Sequence, residues 1–402
     1  MKVLHAFNNH RSTWGSDKAW ANTVQVSREA GIETAIFSRD SSALPPGWRG
    51  KARAFVGGIY AAEGVRAFQQ ALASVRPDVV HAHELYPLIS PWILPRCTAA
   101  GVPVVYTCYD YRLTCPVATH FANGMVCRQC LGGREYRAVR NNCRGSLAES
   151  LAYAARNATA RRFRLYLDHV AQFIVPTEFG WRWLVREADI APERITIQPF
   201  VVPMPADGRI GRADYIGFAG RFSLEKGSHL LIEAARRTGL PVRLAGNSDR
   251  HPAIMPGDPV ICVPTRSPEE LADFYRHARF LVVPSLWEET FSMVAAEAMS
   301  FGVPVLAARI GALPYTVRDG VMGMLFAPGD VDDLARCLRR LWDDPALCRK
   351  LGEAGRKRVA TEFDEASYVR NLRGAYDRAI AIGVGRRRGD VAAASQKKLG
   401  RG

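Results

Sequence analysis

A short apolar strand, an amphipathic helix and another strand follow one another along this chain, and then the whole series begins again. In the first series Lys2–Phe7 reads as a buried strand. A polar loop with Gly15 follows, then an amphipathic stretch to about Ala30 that Gly31 closes. Thr34–Phe37, Asp78–Ala82, Val102–Tyr106 and Phe173–Val175 read as further strands. The second series has strands at Asp214–Ala219, Val242–Ala245, Phe280–Val283 and Val303–Ala307, with a helix at Gly227–Thr238. Such alternation builds a parallel sheet covered by helices on both faces. Pro199, Pro203 and Pro205 suit a linker between the two series. The expected organisation is therefore α/β, with one domain over 1–200 and a second over 201–362. A helix over 363–382 presents Val369, Leu372, Tyr376 and Ile380 on one face. The remaining 383–402 is basic, lacks apolar periodicity and is expected to be a disordered tail.

The net charge of +15 is unevenly placed. Residues 1–200 carry 24 Lys/Arg against 15 Asp/Glu, whereas 201–382 carry 24 against 23. The excess favours an anionic partner for the first half. Neither a secretory leader nor a membrane-spanning run is legible, so the chain is expected to be cytoplasmic, with its nine cysteines reduced.

Two segments carry chemistry. Gly220-Arg221-Phe222-Ser223-Leu224-Glu225-Lys226-Gly227 leaves a strand and opens a helix. Ligands of open α/β sheets sit at the carboxyl ends of strands, and a helix start offers free N–H groups to phosphate. Arg221 and Lys226 add two cations that would hold a diphosphate leaving group. Taken alone, the segment reads equally as a solvated basic loop. The second segment, Pro284 to Ala298, follows the strand at Phe280–Val283. It places Glu289 in the strand-to-helix loop, where a carboxylate can accept from sugar hydroxyls. Thr290, Phe291 and Ser292 offer N–H groups at the helix start. Glu297 lies eight residues on, among apolar neighbours, where it either grips a ribose diol or serves as a hydrogen-bonded structural acid.

In this order and about 70 residues apart, the two segments resemble glycosyltransferase family 4, of the two-domain GT-B fold. The resemblance continues through Phe301-Gly302-Val303-Pro304-Val305 and Asp319 to Phe326 and covers nearly the whole chain. It implies two Rossmann-like domains facing a cleft, an acceptor-binding one first and a nucleotide-sugar-binding one second, with the C-terminal helix crossing back to the first. It further implies that Arg221 and Lys226 bind the donor diphosphate, Glu289 contacts the donor sugar and Glu297 the ribose. Phe291 and Ser292 would supply backbone contacts, and Gly15 the loop that closes over the phosphates. Transfer in the family is retaining and needs no metal or other cofactor. The implied acceptor is a carbohydrate or a lipid-linked sugar, in cell-surface polysaccharide assembly. Two positions depart from the family. Tyr109, in Thr107-Cys108-Tyr109-Asp110-Tyr111, stands where relatives carry histidine, and Tyr315 where they often carry glutamate. Tyr109, Asp110 and His83 are accordingly the candidates for acceptor or catalytic contact, against simple packing of the cleft wall.

Cys115, Cys127, Cys130 and Cys143 form a C-x11-C-x2-C-x12-C pattern within an insertion at about 112–145. Four reduced thiols suit a closed, structural zinc site, with His120 as an alternative ligand. Free thiols, an iron–sulfur cluster or a catalytic disulfide fit the spacing as well. Just beyond, Ser146-Leu147-Ala148-Glu149 is a capping box opening a helix on which Arg156, Arg161, Arg162 and Arg164 follow. That helix reads either as a face for an anionic membrane, at the inner surface, or as a solvated domain face. The competing functions are a GT-B epimerase or phosphorylase, an inactive sugar-nucleotide binder and a nucleic-acid binder. No recognisable nucleic-acid module accompanies the charge, so no nucleic acid is expected.

Overall fold

The computed structural model describes residues 1–9, 15–207, 214–246, 248, 250–265 and 267–399, with side chains to residue 383. Two six-stranded parallel sheets account for most of its strands. The first contains β1 (Lys2–Asn9), β2 (Glu33–Asp40), β3 (Val79–Ala82) and β4 (Val104–Thr107). A two-residue hairpin, β5 (Phe121–Ala122) and β6 (Met125–Val126), stands apart before β7 (Gln172–Val175) and β8 (Ile195–Ile197) complete that sheet. The second is built from β9 (Tyr215–Ala219), β10 (Val242–Gly246), β11 (Val260–Pro264), β12 (Ala278–Val283), β13 (Val305–Ala308) and β14 (Gly323–Phe326). Their orders are β2-β1-β3-β4-β7-β8 and β11-β10-β9-β12-β13-β14. The central strands are buried on both faces, which is why they read as unbroken apolar runs. Edge strand β2 alternates instead and escapes that signature.

In each sheet the chain leaves its first strand in both directions. β1 lies between β2 and β3, and β9 between β10 and β12. The connections diverge there, leaving a crevice at the carboxyl ends of β1/β3 and of β9/β12. The two crevices face one another across the domain junction.

The long closing helix, Glu365–Leu399, returns to the first domain. Tyr368, Leu372, Ala375, Tyr376 and Ala379 pack with Val3, Val79, Val105 and Ile174 behind the first sheet. Tyr368 also bonds the Thr23 hydroxyl at 2.6 Å. The helix runs on through the residues assigned to a tail, because Ala, Arg and Lys are strong helix formers even without an apolar stripe. Residues 400–402, the end of that tail, lie outside the described residues. Among the described residues, no helix is long and apolar enough to cross a membrane.

Candidate functional site

The loop leaving β9 tightens into a single 3-10 turn, Leu224–Lys226, before the helix Ser228–Thr238. Gly227 joins the two at φ +69°, and a Cβ there would meet the Pro284 carbonyl oxygen at 1.9 Å. Only glycine allows this loop to lie against the segment that follows β12. That approach brings Lys226 to Glu289. Lys226 Nζ donates to Glu289 Oε1 at 2.7 Å, and Ser285 Oγ donates to the same oxygen at 2.8 Å. The Lys226 ammonium also stands over the Trp287 ring, 4.9 Å from its centroid. Glu289 is buried. Burial pushes its carboxyl up, but the Lys226 charge and the two hydrogen bonds outweigh this and hold it below the usual glutamate range. Arg221 remains half exposed at the mouth, paired with Glu225 at 3.2 Å.

Beyond Glu289 the chain turns into the helix Met293–Ser300 through Ser292, which is left-handed at φ +74°. The Ser292 hydroxyl is buried and meets no hydrogen-bond partner among the described residues. A strained residue with an orphaned polar atom at a helix start suits a polar ligand group. Phe291 is buried between Phe200 and Phe363 and anchors the turn from behind.

From the first domain come Gly15, Ser16, Glu84, Tyr109 and Asp110. With Gly220, Arg221, Lys226, Trp287 and Glu289 to Val294 they line an open cleft of about 310 Å³. Gly15 takes φ +39° at the start of the helix Ser16–Glu29 and has open space where a side chain would be. Hydrogen bonds made to main-chain carbonyls cross the junction beside the cleft. The Thr290 hydroxyl donates to the Tyr109 carbonyl at 2.9 Å, Thr177 to the Thr290 carbonyl at 3.0 Å, and Tyr111 to the Glu288 carbonyl at 2.8 Å.

Arg221, Lys226, Glu289, Thr290, Phe291, Ser292, Gly15, Tyr109 and Asp110 are thus gathered in one place. Three others are placed differently. His83 is fully buried behind the cleft wall rather than on it. Its Nδ1 bonds the Tyr109 hydroxyl at 2.8 Å, and its Nε2 meets His5 Nδ1 at 3.1 Å. Glu297 lies off the cleft lining, accepting from Tyr275 at 2.9 Å and pairing with Lys18 at 3.3 Å. Tyr315 also lies off it, stacked under the Arg358 guanidinium. Asp110 lines the cleft, but Arg112 Nε donates to its Oδ1 at 2.8 Å and Arg112 also pairs with Glu84. Its carboxylate is therefore engaged rather than open to a substrate proton.

Sequence reasoning missed Ser285, Trp287, Arg112 and Tyr111. Ser285 and Trp287 lie inside the segment already singled out, and the Asp110-x-Arg112 spacing was a legible ion-pair signal. Nothing local marks Tyr111 as a contact to a residue 177 positions away.

His5, His81 and His83 bring three ring nitrogens within 4.8 Å of one another. They make a poor metal centre. His81 bonds Tyr376 and Thr107, each at 2.8 Å, and both nitrogens of His83 are engaged as described. The cluster is a buried hydrogen-bonded unit that holds Tyr109 from behind.

Comparison with known proteins follows the same division. Residues 15–200 match the glycosyl transferase 4-like domain and residues 205–358 the glycosyl transferases group 1 family. The chain is 36% identical over 208 residues to an MMP alpha-(1->4)-mannosyltransferase from Mycolicibacterium hassiacum, covering 48% of this chain and 50% of that protein. It is 32% identical over 254 residues to a D-inositol 3-phosphate glycosyltransferase from Corynebacterium kroppenstedtii, covering 54% and 55%. The chain spans about half the length of the curated relatives it matches. Its fold is similar to that of sucrose-phosphate synthase from Thermosynechococcus elongatus, with TM-score 0.72, 20% identity, and 95% and 99% of the two chains covered. It is also similar to Anabaena HepE in complex with UDP and glucose, with TM-score 0.65, 16% identity, and 94% and 99% covered.

Proposed function

This chain belongs to the group 1, family 4 glycosyltransferases of GT-B fold, and from that premise we propose that it transfers a sugar from a nucleotide-sugar donor to a carbohydrate or lipid-linked acceptor. The observation that carries the reading is the buried Lys226–Glu289 pair at the β9/β12 crevice, with Arg221 at its mouth. The complexes of the similarly folded HepE with UDP and with UDP-glucose support a nucleotide-sugar donor. Lys226 uses one of its three donors on Glu289 and keeps two for phosphate. Arg221, the Ser292 hydroxyl and the N–H groups at the start of Met293–Ser300 complete an anion site. Glu289 faces the donor sugar as a fixed negative charge. Nothing in this set requires a metal.

Transfer is taken to proceed with retention, as the family resemblance implies. The anomeric carbon–oxygen bond breaks with its electron pair going to the diphosphate, where Arg221 and Lys226 stabilise the developing charge. The acceptor oxygen bonds to the anomeric carbon on the same face, and its proton passes to the departing phosphate oxygen. Tyr109, with its hydroxyl fixed by His83, orients the acceptor in place of the family's histidine. A lipid-linked acceptor at the inner membrane face is supported by the exposed Trp48, Val56, Leu147 and Leu151 on the helices Gly47–Ile59 and Leu147–Arg162. The arginines Arg156, Arg161 and Arg164 are engaged within the chain, by Pro116, Glu135 and Asp168, so the apolar residues carry more of that reading than the charge does.

A panel of nucleotide-sugars, each with and without acceptor extracts, tests this. The expected result is release of nucleoside diphosphate that depends on acceptor. Conversion of donor alone would indicate an epimerase, and dependence on inorganic phosphate a phosphorylase. Tyr109→Phe should lower kcat/KM for the acceptor about tenfold, the worth of one hydrogen bond near 1.4 kcal/mol, and leave donor KM unchanged. Unaltered acceptor kinetics would remove Tyr109 from the site.

A further inference from the structure

The insertion that precedes the helix Leu147–Arg162 is held together by very little that is visible in ordinary terms. From Pro116 to Gly145 its regular structure is the β5/β6 hairpin and the five-residue helix Tyr136–Arg140. Among the described residues, its buried apolar side chains come down to Pro116 and Ala138. Yet the backbone is tightly bent. Ala118, His120, Asn123 and Asn142 all take positive φ, four of the nine non-glycine residues that do so in the described chain. Strained turns persist only where the surroundings over-determine them, and this segment has no core to do so.

What it does have is four cysteines. Cys115, Cys127, Cys130 and Cys143 line one small pocket together with His120, and all four thiols are free of disulfides. Cys115 lies 12 residues before the Cys127/Cys130 pair and Cys143 lies 13 residues after it, so their convergence is a property of the fold and not of the C-x2-C pair alone. Residues 128–144 add Arg128, Arg134, Arg137, Arg140 and Arg144 against Glu135, a positive surround for a dianionic centre.

We propose that these four cysteines bind one zinc ion as a closed tetrathiolate, and that this ion is the missing core of the insertion. Each sulfur loses its proton to solvent as it binds, giving a tetrahedral site at about 2.3 Å with no position left for substrate. The sulfurs are gathered around the pocket rather than in bonding contact. Among the described residues, His5, His81 and His83 are the set of three ligand atoms within 4.8 Å of one another. Closing the sphere requires the cysteine side chains to turn about χ1.

The centre also reaches the cleft. Arg128, next to Cys127, donates through Nε to Glu187 and through Nη2 to Glu288, each at 2.6 Å. Tyr111, four residues before Cys115, stacks on His120 at 4.6 Å and donates to the Glu288 carbonyl. The ion thereby positions two cross-domain bonds to the residue beside Glu289.

The test is made on the full chain, purified without chelator under reducing conditions. Elemental analysis should find about one zinc per chain. Cobalt exchange should give the strong near-ultraviolet charge-transfer bands of thiolate ligation. Cys130→Ser should lose most of the zinc, whereas Cys262→Ser, on β11, should retain it. Arg128→Ala should keep the zinc while weakening the bond to Glu288. If Cys130→Ser does not fold, the zinc content and cobalt spectrum of the unmodified protein decide the matter. Absence of zinc with four reactive thiols, iron with visible absorption, or a mass lowered by disulfide formation would each overturn the proposal.

Discussion

Lys226→Ala is expected to lower kcat/KM for the donor by about 10²–10³-fold, the usual loss when one preorganised donor to a developing oxyanion is removed. Two effects combine in this variant. The diphosphate loses a cation, and Glu289 loses its counter-charge while staying buried. With Lys226 gone, burial dominates and drives the Glu289 carboxyl upward, so part of the population becomes protonated. The acid limb of the pH–rate profile should therefore move to higher pH in Lys226→Ala. Glu289→Gln separates the two effects. It keeps the shape of the side chain and removes only the charge, so activity should fall comparably while the thermal midpoint changes little. The double variant should lose far less than the product of the single losses, because the two residues act as a unit. Wild-type donor kinetics in either single variant, with the fold intact, would remove the pair from the site. Lys226→Arg is not expected to rescue, since a planar fork cannot take the place of a point charge held over Trp287.

How much of this was legible in the sequence depended on how local each cause is. The strands β1, β3, β4, β7, β9, β10, β12 and β13 could be read because strands buried on both faces leave unbroken apolar runs. The loops after β9 and β12 could be read because topology sends ligands to such places and because glycine, lysine and glutamate leave a local pattern. Side-chain direction was less accessible. His81-Ala82-His83 alternates along a strand, and His81 pairs in register with His5. Both facts point the three rings at each other, but only once the β1–β3 pairing is known. Glu297 is similar: its helix is evident, but its partners Tyr275 and Lys18 are 22 and 279 residues away. The basic helix misleads in the opposite way. A row of arginines suggests a charged face until Glu135, Asp168 and the Pro116 carbonyl are found to engage three of them.

Acidification should destabilise this protein well before its carboxylates are protonated. His5 is held down to about 3 by burial, and His81 and His83 well below the ordinary 6.5 for the same reason. A base whose folded value is depressed is neutral in the native state and must charge on unfolding as pH falls. The unfolded chain then binds more protons, so stability is complete above about 6.5 and is lost progressively below it. At pH 5 the loss is about 2 kcal/mol for each independent group. Coupling within the His5–His81–His83 cluster spreads those protons over shared steps rather than three separate ones. Glu288 opposes the trend, since burial raises its carboxyl and folding then favours its protonated form, but it is one group against three. A loss of several kcal/mol is large against the 5–15 kcal/mol that stabilises an ordinary domain. The thermal midpoint and the urea midpoint should therefore fall steadily from pH 6.5 to pH 5, a window above that of ordinary carboxylates. Midpoints that stay flat across that window would mean that the histidine cluster is hydrated or already charged in the native protein. His83 could then no longer be the neutral partner that fixes the Tyr109 hydroxyl.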